Sequence, residues 1–219
     1  MMMKLKDYIV VLVFLALVIS YGIYLYSSHN SPRESSTVEL PPIETYVDPV
    51  QEQTDIVVPE LHIGKSTYTF KPKASYQIAG VLVSKRKYSK GFMSDISPWD
   101  FALAWKAVPE YLKHIKFDQI VRFCLFYLKP DAPVSPDYVS RHFSNNHLIP
   151  ATDNLRRAMK LAREGMKVEL GGYLVDVESK EAGKGSLAWK SSLSRTDTGN
   201  GACEIIYVTK LRLEDRLYE

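Results

Sequence analysis

One stretch near the N-terminus constrains this chain more than any other feature. Residues 8–26 read YIVVLVFLALVISYGIYLY, nineteen residues without a charged side chain. About 20 apolar helical residues, at 1.5 Å each, cross a hydrocarbon core of roughly 30 Å. Lys4 and Lys6 precede the run and the next basic residue after it is Arg33, which favours a cytoplasmic N-terminus. The sequence therefore predicts a single-pass anchor, with residues 1–7 in the cytoplasm and the rest of the chain outside it.

A cleaved signal peptide is the alternative interpretation of the same segment. Residues 9–19 have the length of a signal-peptide core, and Ser20-Tyr21-Gly22 offers a small-x-small cleavage pattern. Residues 23–26 prolong the apolar stretch beyond that length, and tyrosine at both ends suits a membrane interface. We therefore favour the anchor, although both interpretations export the C-terminal part.

Residues 27–66 differ in composition from the rest of the chain. They hold seven acidic residues against Arg33 and Lys65, and five prolines interrupt any regular period. This composition is typical of an extended, largely disordered spacer. Val57 and Val58, or Leu61 and Ile63, are more apolar than a free linker needs and suit an edge segment packed on the domain. Removing the acidic and basic residues up to Ser66 from the totals leaves 24 basic and 17 acidic residues beyond it, a surplus of +7 where the whole chain has +3. Such a surplus favours anionic partners, although a solvated basic surface explains it as well.

Residues 67–219 are predicted to form one extracytoplasmic α+β domain. A helix is expected to begin at Ser97-Pro98, which supply an N-cap and a first-turn proline, and a second to run from Thr152 or Asp153 to Glu164. Residues 115–128 suit either a helix or a strand. The clearest strands are 76–83, 168–177, 187–193 and 202–211, with a hairpin turn at 197–201. Gly80 and the pair Gly171-Gly172 predict bulges or close backbone approaches, so we expect a curved antiparallel sheet with two or three helices, in one alternative a small open barrel.

Two polar clusters are the candidate sites. One lies in residues 191–204 and the other in residues 144–147. Arg195 can hold an anionic group beside a glycine-rich turn, or it can simply pair with a neighbouring acid. The predicted binding residues are Asn146, His147, Trp189, Arg195, Asp197 and Glu204.

Catalysis is the weaker interpretation of the same residues. His147 is the one candidate base, and an envelope hydrolase would pair it with Asp197, Ser191, Ser192 or Cys203. No hydrolase motif accompanies it. No metal site is expected, because His142 and His147 are five apart with no acid between them, and no cofactor is expected either. Cys124 and Cys203 are too few for a disulfide framework, though they could pair if they meet in the fold.

A third hypothesis is binding of an anionic polymer. Arg156, Lys160 and Arg163 share one face of the second predicted helix, so a basic stripe results. Exposed helices also carry such residues for solubility alone. Nucleic acid is the less expected polymer, because the domain is predicted to lie outside the cytoplasm.

Three strings resemble a known family: SNNHLIPA at 144–151, GGYLVDV at 171–177 and WKSSLSRTDTGNGACEIIYV at 189–208. The family comprises small bacterial proteins, exported or membrane-anchored, whose function is uncharacterised. The resemblance covers about the last two-thirds of the chain and implies a bacterial envelope setting, but no catalytic residue can be carried over. We thus expect a module in the inner membrane that binds a protein or an anionic envelope partner without catalysis.

Overall fold

The computed structural model describes residues 5–35, 40–181, 185–194 and 203–219, and shows a mixed α+β fold around one large curved sheet. Its helices are α1 (Leu5–Asn30), α2 (Pro136–Arg141), α3 (Asp153–Ala158) and a 3-10 helix (Val108–His114). The strands are β1 (Val50–Glu52), β2 (Leu61–Ile63), β3 (Ser66–Lys87), β4 (Trp99–Ala104), β5 (Ile115–Ile120), β6 (Phe123–Leu128), β7 (Phe143–Pro150), β8 (Lys167–Glu181), β9 (Ser186–Trp189), β10 (Glu204–Leu213) and β11 (Arg216–Tyr218). Few residues are helical and the long strands curve, so the predicted fold class is confirmed at this level.

Five of these strands pair in a closed ring. The long strand β3 pairs with β4 on one side and with β8 on the other. β4 continues to β7, β7 to β10, and β10 back to β8. The pairing of β7 with β10 is parallel, whereas the others are antiparallel. The expected purely antiparallel sheet is therefore wrong at this pair, because residues 143–150 were not identified as a strand.

Glycine allows the backbones to approach where the ring bends. A Cβ on Gly80 would lie 2.7 Å from the carbonyl oxygen of Ala104, and one on Gly172 would lie 2.1 Å from that of Tyr207. Opposite Gly172, β10 carries an extra residue between Val208 and Lys210. Both predicted irregularities are confirmed, and they bend the sheet where two strands are closest.

The ring encloses an apolar core. Phe101, Leu103, Leu148, Ile206 and other buried side chains from all five strands form one cluster with Leu155, Ala158 and Met159 of the α3 segment. Thr152 caps α3, since its Oγ1 accepts from the Leu155 N–H at 3.2 Å. The helix ends at Ala158 rather than at the predicted Glu164.

One other predicted element differs, and one that suits either a helix or a strand is a pair of strands. Residues 99–104 form β4 and not the helix expected from Ser97-Pro98. Five of the six residues of β4 are buried, so it lacks the alternation of polar and apolar residues that identifies a strand. The ambiguous segment 115–128 is the hairpin β5–β6.

The described part of residues 27–66 lies against the barrel. Ile43 and Val58 are buried, and β1 and β2 each pair with β3. The indole N–H of Trp105 donates to Asp48 at 3.1 Å. Leu61–Ile63 is the edge segment expected from its apolar residues. The rest of the described range is more ordered than its composition predicts, because apolar side chains among the prolines pack against the sheet.

The helix α1 leads almost directly into the domain. It ends at Asn30, and the N–H of Arg33 donates to the Asn154 side chain at 2.7 Å, while that of Ser35 donates to the Leu217 carbonyl at 2.8 Å. The side chains of residues 10 and 11, inside the predicted anchor, lie outside the described set. In the part of the chain that the structure describes, no helix combines the length and apolarity needed to cross a membrane.

Candidate functional site

A buried carboxylate and a buried imidazole face each other on the outside of the ring. Asp100 of β4 is in register with His147 of β7, and their neighbours Phe101 and Leu148 belong to the core. Because side chains alternate along a strand, Asp100 and His147 point away from the interior. His147 Nδ1 lies 2.9 Å from Asp100 Oδ1, although the two groups are not aligned as a hydrogen bond. Both side chains are nonetheless almost completely buried.

Arg122 covers these residues from the tip of the β5–β6 hairpin. Its Nη1 donates to Asp100 Oδ1 at 2.7 Å, which makes a buried ion pair. Its Nη2 donates to the carbonyl oxygens of Phe92 and Ser97 at 3.0 and 2.9 Å. The guanidinium carbon lies 3.9 Å from the centre of the Tyr88 ring. Arg122 therefore fixes loop 88–98 to the hairpin and to β4.

The turn that presents Arg122 has an unusual backbone. Val121 and Arg122 have φ values of 46° and 70°, between the paired residues Ile120 and Phe123. Positive φ at both positions is the requirement of a type I′ turn, which favours Asn-Gly and strongly disfavours a β-branched residue. Both peptide groups of Arg122 are held: its N–H donates to the Tyr88 hydroxyl at 3.1 Å, and its carbonyl accepts from Asn145 at 2.9 Å.

Trp189 forms the outer wall of the cluster. The Trp189 ring centre lies 4.7 Å from the His147 ring centre, in a tilted contact. It lies 5.4 Å from the Phe92 ring centre, in an edge-on contact. The Arg122 guanidinium carbon lies 5.4 Å from the same indole. The segment after Trp189 is fixed through the N–H of Ser191, which donates to Asp176 at 3.0 Å. Three chain segments thus converge on the outer face of β4 and β7.

The two cysteines lie beside this cluster. Cys203 Sγ is 3.9 Å from the Arg122 carbonyl oxygen and from Asn145 Nδ2. Gln119, which is opposite Cys124 in the hairpin, donates to Asn145 at 3.1 Å. Burial, and secondarily the nearby Cys203, raise the pKa of Cys124 to about 12. The Cys124 thiol is therefore protonated at neutral pH.

The predicted binding residues do not form one pocket. His147 and Trp189 are in contact on the outer face, as described above. Asn146 and Glu204 are in register across the parallel pair and point toward the interior, where Asn146 donates to the Phe101 carbonyl at 3.1 Å. Arg195 and Asp197 lie outside the described residues. The four predicted residues that the structure describes thus form two separate pairs on opposite faces of the sheet.

The candidate nucleophiles are engaged elsewhere. Ser191 Oγ donates to the Ser192 carbonyl and accepts from the N–H of Ile205, and Ser192 Oγ donates to the Ser194 carbonyl. His147 instead lies against Asp100 and Trp189. Within the described ranges, no three His, Cys, Asp or Glu side chains are placed to share a metal ion.

Sequence reasoning missed Asp100 and Arg122, the two charged residues at the centre of the cluster. Asp100 falls in the first turn of the helix predicted from Ser97-Pro98, and Arg122 lies in the segment that suits either a helix or a strand. The available signal was a single charge inside IVRFCLFYL, residues 120–128. An arginine in such an apolar stretch indicates a partnered guanidinium.

Two surface depressions lie away from the cluster. One of about 300 Å³ is lined by β1, β3, β8 and β10, and one of about 360 Å³ lies between Tyr111 and Tyr138. Neither includes Asp100 or His147. No family model matches the chain, and neither a curated protein nor a solved structure was found to be similar to it.

Proposed function

We propose that this chain is a membrane-anchored, extracytoplasmic binding module of the bacterial envelope that recognises a partner without catalysing a reaction. The resemblance noted above supports the envelope setting. The binding surface is the pair of chain segments that flank β4 and β7, loop 88–98 and the segment around Trp189, because the outward side chains of the two strands are themselves buried. The partner is a protein or an anionic envelope polymer.

The strand order supports this location. In chain order the five ring strands are β3, β4, β7, β8 and β10. Around the ring they follow the order β3-β4-β7-β10-β8, and the third and fifth strands of the chain, β7 and β10, are parallel. Helix α3 lies in the chain between the third and fourth strands, β7 and β8. This is the connectivity of an OB-type barrel. In such barrels the face of the second and third strands, with the first and last loops, binds extended ligands.

The observation that carries the proposal is the position of the buried cluster. Asp100 and His147 lie on the second and third strands, Arg122 holds loop 88–98, and Trp189 belongs to the segment between the fourth and fifth strands. The charged groups of Asp100 and Arg122 are used for each other and for backbone carbonyls. The cluster therefore orders the rim of a binding face, which favours recognition over hydrolysis.

The proposal of a membrane anchor depends on helix α1. Its 26 residues span about 39 Å at 1.5 Å each. Its described apolar side chains are exposed; the largest exposed fractions include Leu12, Phe14 and Tyr26 at 65, 65 and 73%. Such a helix needs an apolar environment that the domain does not supply.

Protease treatment of membrane vesicles tests the anchor and its orientation. We expect the chain to resist alkaline extraction and the domain to be cut in right-side-out vesicles but protected in inverted ones. Release by alkali, or cleavage in inverted vesicles, would contradict this part of the proposal.

Binding is tested with the full chain in nanodiscs. Dextran sulfate serves as the anionic polymer and neutral dextran as its control, with tryptophan emission as the readout. We expect a saturable change that weakens with salt and is lost in Trp189→Phe. An unchanged response in Trp189→Phe would remove Trp189 from the binding face.

A further inference from the structure

The tip of the β5–β6 hairpin and the adjoining loop carry an exposed apolar surface at the edge of the cluster. Its side chains are Phe92 of the adjoining loop and Ile120, Val121 and Phe123, exposed by 45, 47, 76 and 38%. We call these four residues the tip patch. Arg122, in the middle of the tip, is turned inward to Asp100, so the only charge of the turn is withdrawn from the surface.

A basic residue contacts the hairpin beside the tip patch. Arg86 is exposed, and its Nη1 donates to the Gln119 carbonyl at 2.7 Å; Lys87 and Lys90, also exposed, follow it in the same chain segment. Two carboxylates lie nearby: Asp118, in register with Leu125 two pairs behind the tip pair Ile120–Phe123, and Asp95 in loop 88–98. Asp95 accepts a hydrogen bond from the Tyr68 hydroxyl. An apolar tip beside a basic chain segment matches the charge and polarity of an anionic lipid surface.

The fold places the tip patch at the end of the barrel where α1 arrives. Trp99 is in register with Leu148, so β4 begins where β7 ends. Loop 88–98 leads into β4 and α3 follows β7, and Arg156 joins them through a 3.2 Å hydrogen bond to the Asp95 carbonyl. Asn154 of the same helix binds Arg33, three residues after α1 ends. A membrane entered by α1 therefore lies at the end that bears the tip patch.

We infer that the tip patch inserts into the interface of the same bilayer that α1 enters, giving the domain a second membrane contact that prefers anionic headgroups. This inference rests on the anchored state proposed above. Each register pair along the hairpin advances about 3.3 Å. Asp118 is two pairs behind Ile120, about 6.6 Å along the strand, so its carboxylate limits insertion to the turn and the tip of the hairpin. The β-branched Val121 in a turn that favours Asn-Gly fits this role, because asparagine there would put an amide at the most exposed point.

Depth-dependent quenching in liposomes tests the inference with the full chain. The variant Val121→Trp is compared with Val57→Trp, because Val57 is an equally apolar residue, exposed by 85%, outside the tip patch. The liposomes contain phosphatidylethanolamine and phosphatidylglycerol. We expect the emission of the tryptophan at position 121 to shift to shorter wavelength and to be quenched by doxyl-labelled lipids. The tryptophan at position 57 should show neither effect. Equal quenching at both positions would overturn the inference. So would crosslinking of position 121 between two copies without lipid quenching, since a second copy would then cover the tip patch.

Hydrogen exchange on the unsubstituted chain gives a measurement that needs no new tryptophan. We expect the amides of residues 120–123 to exchange more slowly in phosphatidylglycerol-containing than in phosphatidylcholine liposomes, and the difference to vanish in Val121→Asn but not in Val57→Asn. Equal exchange in the two lipids would contradict the contact. Alkaline extraction of the same samples reports the anchor separately, so failure of the anchor and failure of the tip contact are distinguishable.

Discussion

Replacing Arg122 by methionine tests whether the buried cluster holds the domain together. The substitution keeps an unbranched apolar stem and removes the guanidinium that lies 2.7 Å from Asp100, a carboxylate with no exposed surface. Removing one partner of a buried ion pair costs about 3–5 kcal/mol, because the other charge stays buried without compensation. For a domain of this size that corresponds to a fall in Tm of roughly 6–20 °C.

The assay is thermal and urea unfolding of the full chain in detergent, followed by tryptophan emission. Arg141→Met is the matched control: Arg141 pairs with Asp137 on the surface of α2, where both side chains are more than half exposed. Such a pair contributes about 0.3–0.5 kcal/mol. Arg122→Met combined with Asp100→Asn should recover part of the lost stability, since the uncompensated charge is then gone. A loss below about 1 kcal/mol for Arg122→Met, or no recovery in the double variant, would refute this reasoning.

Three further predictions concern other parts of the barrel. Gly172→Ala should destabilise the fold by more than about 3 kcal/mol, because its Cβ would lie 2.1 Å from the Tyr207 carbonyl oxygen, whereas Gly185→Ala, with open space around it, should be near neutral in the same unfolding assay. Cys124 should resist alkylation at pH 8, because burial raises its pKa to about 12; mass spectrometry showing modification as fast as in the urea-unfolded chain would contradict this. Burial, with a smaller effect of Arg163, lowers the pKa of Lys85 from 10.5 to about 8. The unfolded chain then binds more protons between these pH values, so stability should rise with pH across that window by about 1 kcal/mol after solvent screening, and Lys85→Met should lack the rise.

The sequence predicted those elements whose signal is local. The long β-branched stretch around residues 76–83, the irregularities at Gly80 and Gly172 and the capped start of α3 are all present in the fold. β4 was taken for a helix because Ser97-Pro98 resembles a helix start and because both faces of the strand are buried. The closure of the ring depends on pairings between distant residues, such as Ser66 with Glu181, which no local pattern reveals.

The candidate site was predictable only in part, for the same reason. His147 and Trp189 were selected from their polar and aromatic surroundings, and they do meet. The residues that fix them, Asp100 and Arg122, are 22 positions apart and belong to a strand and a turn that had not been assigned. Asn146 was chosen as a neighbour of His147, but alternation along β7 turns it to the opposite face.

The short connection between α1 and the barrel has a mechanical consequence. Arg33 and Ser35 are hydrogen-bonded to Asn154 and Leu217, so the domain is not joined to α1 by a free, flexible linker. For an anchored chain, a change in helix tilt would therefore be passed in part to the domain. Membrane helices adjust their tilt to the thickness of the bilayer. The orientation of the face around Trp189 relative to the membrane would then depend on the local thickness of the bilayer.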